Sequence, residues 1–338
     1  MLKKRLLGGI SAIMALVVLA AAVVIWQTKA FVATPLSIQS PQLFTVPAGA
    51  HYQRVIRQFE VKGWVASSIW AKFAPHLYPE LTRVQAGTFQ FQPGQTLAQA
   101  FTTLRSGQQY QASITFVEGS TFAQWRAQLQ SAPHLDHTLE GVSEAVIADK
   151  LGVSRDQLEG LLLPETYAYD VNDTDIDLLQ RAVRAMEATL EKAWQHRADD
   201  LPIKTPYELL ILASIIEKET AVASERENVA SVFVNRLRKG MRLQTDPTVI
   251  YGMGEQYDGN IRKRDLRTPT PYNTYVINGL PPTPIAMPGK ASIMAAAQPA
   301  HTDYYYFVAT GKGGHQFSTT LAEHNRAVRD YLKVLRNQ

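Results

Sequence analysis

The chain of 338 residues contains no cysteine, which excludes disulfides and thiolate chemistry. Its eight histidines never reach H-E-x-x-H or another metal-ligand spacing, so neither a metal nor a cofactor is expected. Concentrated charge of one sign is lacking too: the net charge is +4, and the lysines and arginines are scattered, without the footprint of a nucleic-acid binder. The Gly311-Lys312-Gly313-Gly314 string is not followed by Ser or Thr as a P-loop requires. It reads as a hairpin turn between strands over 304–309 and 315–319. What remains is an ordinary globular composition, 46% apolar and 19% charged, long enough for one to three domains with a sizeable core.

One long uncharged run stands out. Lys3, Lys4 and Arg5 precede residues 6–26, which end on Trp26. At about 1.5 Å per residue a helix of that length spans a hydrocarbon core of about 30 Å. The run is longer than the apolar part of a usual signal peptide, and no A-x-A site followed by a polar stretch closes it. It reads as an uncleaved anchor, with residues 1–5 as a cytoplasmic tail and the rest of the chain exported.

Residues 27–42, with Pro35 and Pro41, read as a tether. A small mixed unit follows over 43–112. It has a helical pattern (Tyr52, Val55, Ile56, Phe59), a strand over 86–91 closed by Pro93-Gly94, and a second helical pattern (Leu97, Ala100, Phe101, Leu104) closed by Gly107. This unit resembles a LysM-like module, a binder of glycan strands. From 113 onward a strand over 113–117 leads into helical patterns over 122–129, 143–151 and 175–196, the last amphipathic and assigned to packing. Glu165, after Pro164, reads either as a site residue or as a cap.

The stretch 207–251 organises the second part. Leu209, Leu210, Ile211, Leu212, Ala213, Ile215 and Ile216 make a helix that is apolar almost all round and therefore buried. Glu217, Lys218 and Glu219 follow in the same helix, where a charge costs several kcal/mol unless paired or neutralised. Two residues apart, the two glutamates do not share a face. Glu219 has Ile216, Ile215 and Leu212 on its side, an apolar setting that raises a carboxyl pKa and suits a general acid. The competing reading is that both glutamates mark the exposed end of a core helix. Ser224 and Glu227 then form an S-x-x-E pattern opening a helix, whose last turns carry Arg236, Arg238 and Lys239 before Gly240. The polar tail 243–248 is either a satisfied turn or a hydrogen-bonding rim for a hydroxyl-rich ligand. The last third is rich in Tyr, Pro and Asn (TPTPYNTY, GLPPTPIAMPG), which suits rigid loops that contact sugars. His315 and His324 are the remaining candidate ligands.

Five strings in order, ASIIEKETAVASERENVASVFVNRL, GMRLQTDPTVIYGMG, TPTPYNTY, NGLPPTPIAMPG and YYYFVATGKGGHQFSTTLAEHN, resemble the MltG/YceG-like family of endolytic murein transglycosylases. The resemblance implies an α+β fold with a transmembrane helix, a LysM-like subdomain and a larger mixed catalytic domain over 113–338. It implies an inner-membrane protein with a periplasmic catalytic domain that cuts nascent peptidoglycan between N-acetylmuramic acid and N-acetylglucosamine. The cut leaves 1,6-anhydro ends and limits strand length, beside membrane synthases (penicillin-binding proteins). The family's essential glutamate, the second of E-K-E, falls on Glu219. Gln244, Asp246, Tyr272 and Asn273, with Glu323 and Asn325 behind them, are the expected substrate-positioning residues. One departure is visible: Thr283 stands where the family pattern has glycine after the two prolines. The rival readings are a hydrolytic muramidase and a non-catalytic, membrane-tethered glycan-binding scaffold.

Overall fold

The computed structural model describes residues 2–336, with side chains from residue 8 onward. The chain divides into two compact units, Met1–Ala112 and Ser113–Gln338. Both mix helix with short strands, and the strands pair two by two into three small sheets among the described residues.

Helix α1 (Leu2–Val32) runs past Trp26. Its segment Gly8–Val32 is long and apolar enough to cross a membrane, and its apolar side chains lie bare, Leu16 at 65% exposure and Trp26 at 66%. The side chains of Lys3, Lys4 and Arg5, on which the expected orientation rests, lie outside the described residues. The last turn behaves differently: Phe31 and Val32 are buried in the small unit, and Leu36 N–H donates to the Gln95 carbonyl at 2.8 Å. The stretch expected to be a tether is thus packed at 31–36, because its apolar side chains have a core within reach.

The small unit runs β1 (Gln42–Val46), α2 (Tyr52–Val61), α3 (Trp70–Leu77), β2 (Gly87–Phe91) and α4 (Leu97–Ser106). β1 and β2 pair antiparallel with Phe44 opposite Phe89. Alternation sends Phe44, Phe89 and Phe91 inward, where the rings of Phe44, Phe59, Trp64, Phe91 and Phe101 pack with centroids 4.9–6.1 Å apart. A capping box at Thr96 and Gln99 starts α4, and Gly107 at φ 71° ends it.

The larger unit opens within β3 (Gln111–Thr115), which pairs with β4 (Thr166–Asp170). Between them lie α5 (Phe122–Gln130) and α6 (Glu144–Lys150). α7 (Asp175–Gln195) starts at the buried Asp175, whose carboxylate accepts from the Thr138 and Leu139 N–H groups at 3.0 Å each. At the centre is α8 (Pro206–Glu219), entered through the Thr205 cap and Pro206 and fully buried from Leu209 to Ile216. It packs against α7, α9 (Arg226–Arg238), α10 (Asp246–Met253) and α11 (Lys290–Ala297). A hairpin of β5 (Tyr306–Ala309) and β6 (His315–Ser318), with α12 (Leu321–Arg336) against it, completes the unit.

Two local expectations change. The Ser224 capping box does not form, because a 3-10 turn over Ala223–Glu225 feeds α9 and leaves Glu225 as its cap without a side-chain bond. Glu225 instead accepts from His315 N at 2.9 Å and meets His315 Nδ1 at 2.8 Å, tying the hairpin to the start of α9. The polar stretch after 243 does not stay a turn: Pro247 sits in the first turn of α10, where its missing N–H costs nothing.

Candidate active site

Glu219 is the last residue of α8, half-buried at a cleft of about 360 Å³. Gln244 lines the same cleft from the α9–α10 connection, Asp246 from the start of α10, Arg236 from α9, Tyr275 from the loop after α10, Tyr306 and Phe307 from β5, and His324 from α12. The helix ends there because Thr220 turns extended (φ −143°, ψ 129°). The carboxyl is therefore carried on a rigid core element and presented at its rim.

The surroundings of Glu219 pull in two directions. Burial is the largest influence and raises its pKa; the Asp246 charge raises it further, while the Thr245 hydroxyl bond, His315 and Arg236 lower it. The net direction is upward. The Thr245 hydroxyl donates to Glu219 Oε1. Thr245 is itself held by Thr274, whose hydroxyl accepts its N–H at 3.0 Å, and by Thr248, whose hydroxyl donates to its carbonyl at 2.8 Å. Gln244, just before, sits at φ 50°, in the left-handed region that non-glycine residues rarely enter.

Arg236, only 9% exposed, spends its donors on backbone carbonyls: Nε on Tyr305 at 2.7 Å and Nη1 on Leu243 at 2.6 Å. It thereby clamps the residue before β5 and the 243–245 segment to α9. Although it sits in the last turns of α9, among cations that suit a helix C-terminus, its burial makes it part of the cleft wall. His324 stacks on Tyr306 with centroids 5.2 Å apart; burial and then the Arg236 charge hold its pKa below the ordinary value.

Of the residues expected from the sequence, Glu219, Gln244 and Asp246 come together in this cleft. Tyr272 and Asn273 are not among its lining residues. Asn273, 1% exposed, donates to the Asp265 and Thr268 carbonyls at 3.1 and 2.8 Å and accepts from Tyr275 N–H at 3.0 Å, so it shapes the loop. Tyr272 packs edge-on against Tyr251 at 4.9 Å and shares a 2.8 Å hydrogen bond with Thr283, which gives the unusual threonine a partner. Glu323 caps α12, accepting from Thr319 and Thr320 N–H at 3.1 and 3.2 Å, and Asn325 is exposed on that helix. Glu217 accepts from Gly289 N–H at 2.9 Å and Lys218 Nζ donates to the Gly119 carbonyl at 3.1 Å, so both charges beside Glu219 serve loop anchoring. Arg236, Tyr275 and Tyr306 join the cleft unannounced, and Thr245, buried beside it, bonds Glu219. For Thr245 a signal existed, its place in the polar tail after α9.

A half-buried carboxyl with a raised pKa, held by one hydroxyl donor in a polar cleft, is the arrangement a general acid needs. The sequence matches the YceG-like family across residues 44–330, and the chain belongs to that family. It is 33% identical over 272 residues to a Bacillus subtilis protein named endolytic murein transglycosylase, covering 75% of each chain. A protein of the same name from Streptococcus pneumoniae is 27% identical over 334 residues, 88% of this chain and 60% of the relative. A crystal structure of a YceG-like protein from Listeria monocytogenes superposes with a TM-score of 0.53 at 28% identity, covering 85% of this chain and 98% of that one.

Proposed function

We propose that the protein is an endolytic lytic transglycosylase that cuts peptidoglycan glycan strands between N-acetylmuramic acid and N-acetylglucosamine and leaves 1,6-anhydro ends. The observation that carries this reading is Glu219, a carboxyl with a raised pKa at a polar cleft, in a chain whose relatives bear that name. Protonated Glu219 gives its proton to the glycosidic oxygen as the bond to the muramic acid C1 breaks through an oxocarbenium-like state. The carboxylate so formed takes the proton of the sugar's own C6 hydroxyl, whose oxygen closes on C1. The intramolecular hydroxyl outcompetes water through its effective concentration, so a second carboxylate is not required to activate a nucleophile.

Gln244 and Asp246 are the substrate-positioning residues this reading favours, since both line the cleft. α1 supports an anchor in the inner membrane with the chain that follows it on the periplasmic side, where nascent strands are. The strand–helix–helix–strand order of the small unit supports a LysM-like, glycan-binding role for it, and membrane peptidoglycan synthases are the partners that the substrate suggests.

The test is mass spectrometry of strands incubated with the full-length protein in detergent, wild type against Glu219→Gln. Anhydro-muramyl ends from wild type alone are the expected result. Hemiacetal ends would make the protein a hydrolase; equal cleavage by both proteins would clear Glu219; no cleavage by either would favour a glycan-binding scaffold.

A further inference from the structure

Thr96, Thr121, Thr174 and Thr205 each cap a helix by accepting the N–H three residues on. Thr245 occupies the same position before α10 and makes no such bond. Its hydroxyl is turned instead toward Glu219 and donates to Oε1. A cap uses a hydroxyl lone pair and this bond uses the proton, so what sets Thr245 apart from the other four is where its hydroxyl points: across to a carboxyl on another helix and not at its own first turn.

The geometry points to Thr245 as a positioning residue that assigns the acid proton of Glu219 to Oε2. A neutral carboxyl accepts best on its carbonyl oxygen and donates from its hydroxyl oxygen, so the bond from Thr245 makes Oε1 the carbonyl side. The inference rests on the general-acid reading of Glu219. In the first step the Oε2–H bond breaks, its proton goes to the glycosidic oxygen, and the C1–O bond electrons leave with that oxygen. In the second, the C6 hydroxyl proton returns to Oε2 while O6 bonds C1, and the acid is restored. Throughout, Thr245 keeps Oε1 occupied and the carboxylate in one orientation.

Thr245 is fixed well enough for this task. It is 1% exposed, and Thr248 and Thr274, both fully buried, hold its carbonyl and N–H while their own hydroxyls lie 2.8 Å apart. Thr274 also accepts Gln244 N–H on its carbonyl at 3.2 Å, so the segment bearing Gln244 and Thr245 has little freedom to turn. Two buried hydroxyls, of Thr248 and Thr274, thus brace one donor.

The test is infrared titration of the Glu219 carboxyl in the full-length protein in detergent, assigned by difference from Glu219→Gln, together with the pH dependence of strand cleavage. Thr245→Val removes the donor at nearly constant volume, Thr245→Ala removes it with less packing, and Thr245→Ser keeps it. Losing a donor to the ionised form raises the carboxyl pKa. Both deletions are therefore expected to move the infrared midpoint and the alkaline limb of kcat upward and to lower kcat roughly ten- to hundredfold, with KM little changed. Thr245→Ser is expected to restore the wild-type midpoint. An unmoved midpoint in either folded deletion variant, or a serine variant behaving like alanine, would overturn the assignment. Failure of wild type to cleave strands would sink the proposed function, while the infrared midpoints would still decide whether Thr245 governs Glu219.

Discussion

The Tyr275 hydroxyl donates to Asp246 Oδ1 at 2.6 Å, which anchors the negative charge that stands next to Glu219 along the cleft. Besides burial, that charge is the influence that raises the Glu219 pKa. Asp246→Asn is therefore expected to lower the Glu219 pKa and move the alkaline limb of kcat/KM to lower pH, opposite to the shift from losing Thr245. Measuring kcat/KM against pH for wild type and Asp246→Asn decides it. A limb that stays put would leave Asp246 with a role in substrate contact alone.

Glu217 and Glu219 are two residues apart and should part company on substitution. Glu219→Gln is expected to lower strand cleavage by about 10²–10⁴-fold with the fold retained. Glu217→Ala removes the acceptor of Gly289 N–H and is expected to cost about 1–3 kcal/mol of stability, with cleavage within several-fold of wild type. Thermal melting paired with product analysis separates the two effects.

Gly160 lies at φ 80°, and a Cβ there would come within 2.4 Å of the Pro284 ring. Its N–H also meets the Met287 sulfur at 3.1 Å, so this close approach seats the 284–287 segment, whose Ile285 N–H bonds Ser214 of α8 at 3.0 Å. Gly160→Ala is expected to destabilise the larger unit by roughly 3 kcal/mol, through left-handed strain and overpacking together. Denaturant unfolding would show it; a midpoint equal to wild type would contradict the contact.

Glu159 predicts a pH dependence of stability separate from catalysis. It is 7% exposed, and burial pushes its pKa up from 4.5 to about 7, with bonds from Phe122 N–H and the Tyr251 hydroxyl opposing. The folded state therefore holds this proton to higher pH than the unfolded chain. The stabilisation is complete below about pH 4.5 and is lost as pH rises through about 7, on the order of 3 kcal/mol. Glu159→Gln is expected to flatten the fall in melting temperature over that window and to exceed wild type above it. Parallel slopes for the two proteins would assign the pH dependence to another group.

The sequence carried the central helix and its carboxyl legibly. An all-round apolar stripe from Leu209 to Ile216 has few solutions other than a buried helix, and the apolar side on which Glu219 falls is a matter of 3.6-residue periodicity. A period-2 alternation marked β2, and the Gly311–Gly314 turn marked the hairpin of β5 and β6. α10 and α12 were not read, since Pro247 and the run of charges after Leu321 look like turn and surface when no partner is in view.

The residues around Glu219 are a different matter. Arg236 read as a cation at a helix end, yet it is a buried clamp on Tyr305 and Leu243; Asn273 and Glu323 read as ligand contacts, yet their side chains fasten a loop and cap a helix. Polarity in a motif is the same letter whether a side chain faces a ligand or its own backbone. Local pattern determined the membrane-length helix, the core helix and the acid at its end, because those follow from periodicity and burial cost along the chain. Which hydroxyl, arginine and histidine meet that acid was decided by tertiary structure, because 26 positions separate Glu219 from Thr245 and only the packing of α8 against α10 brings them within one hydrogen bond.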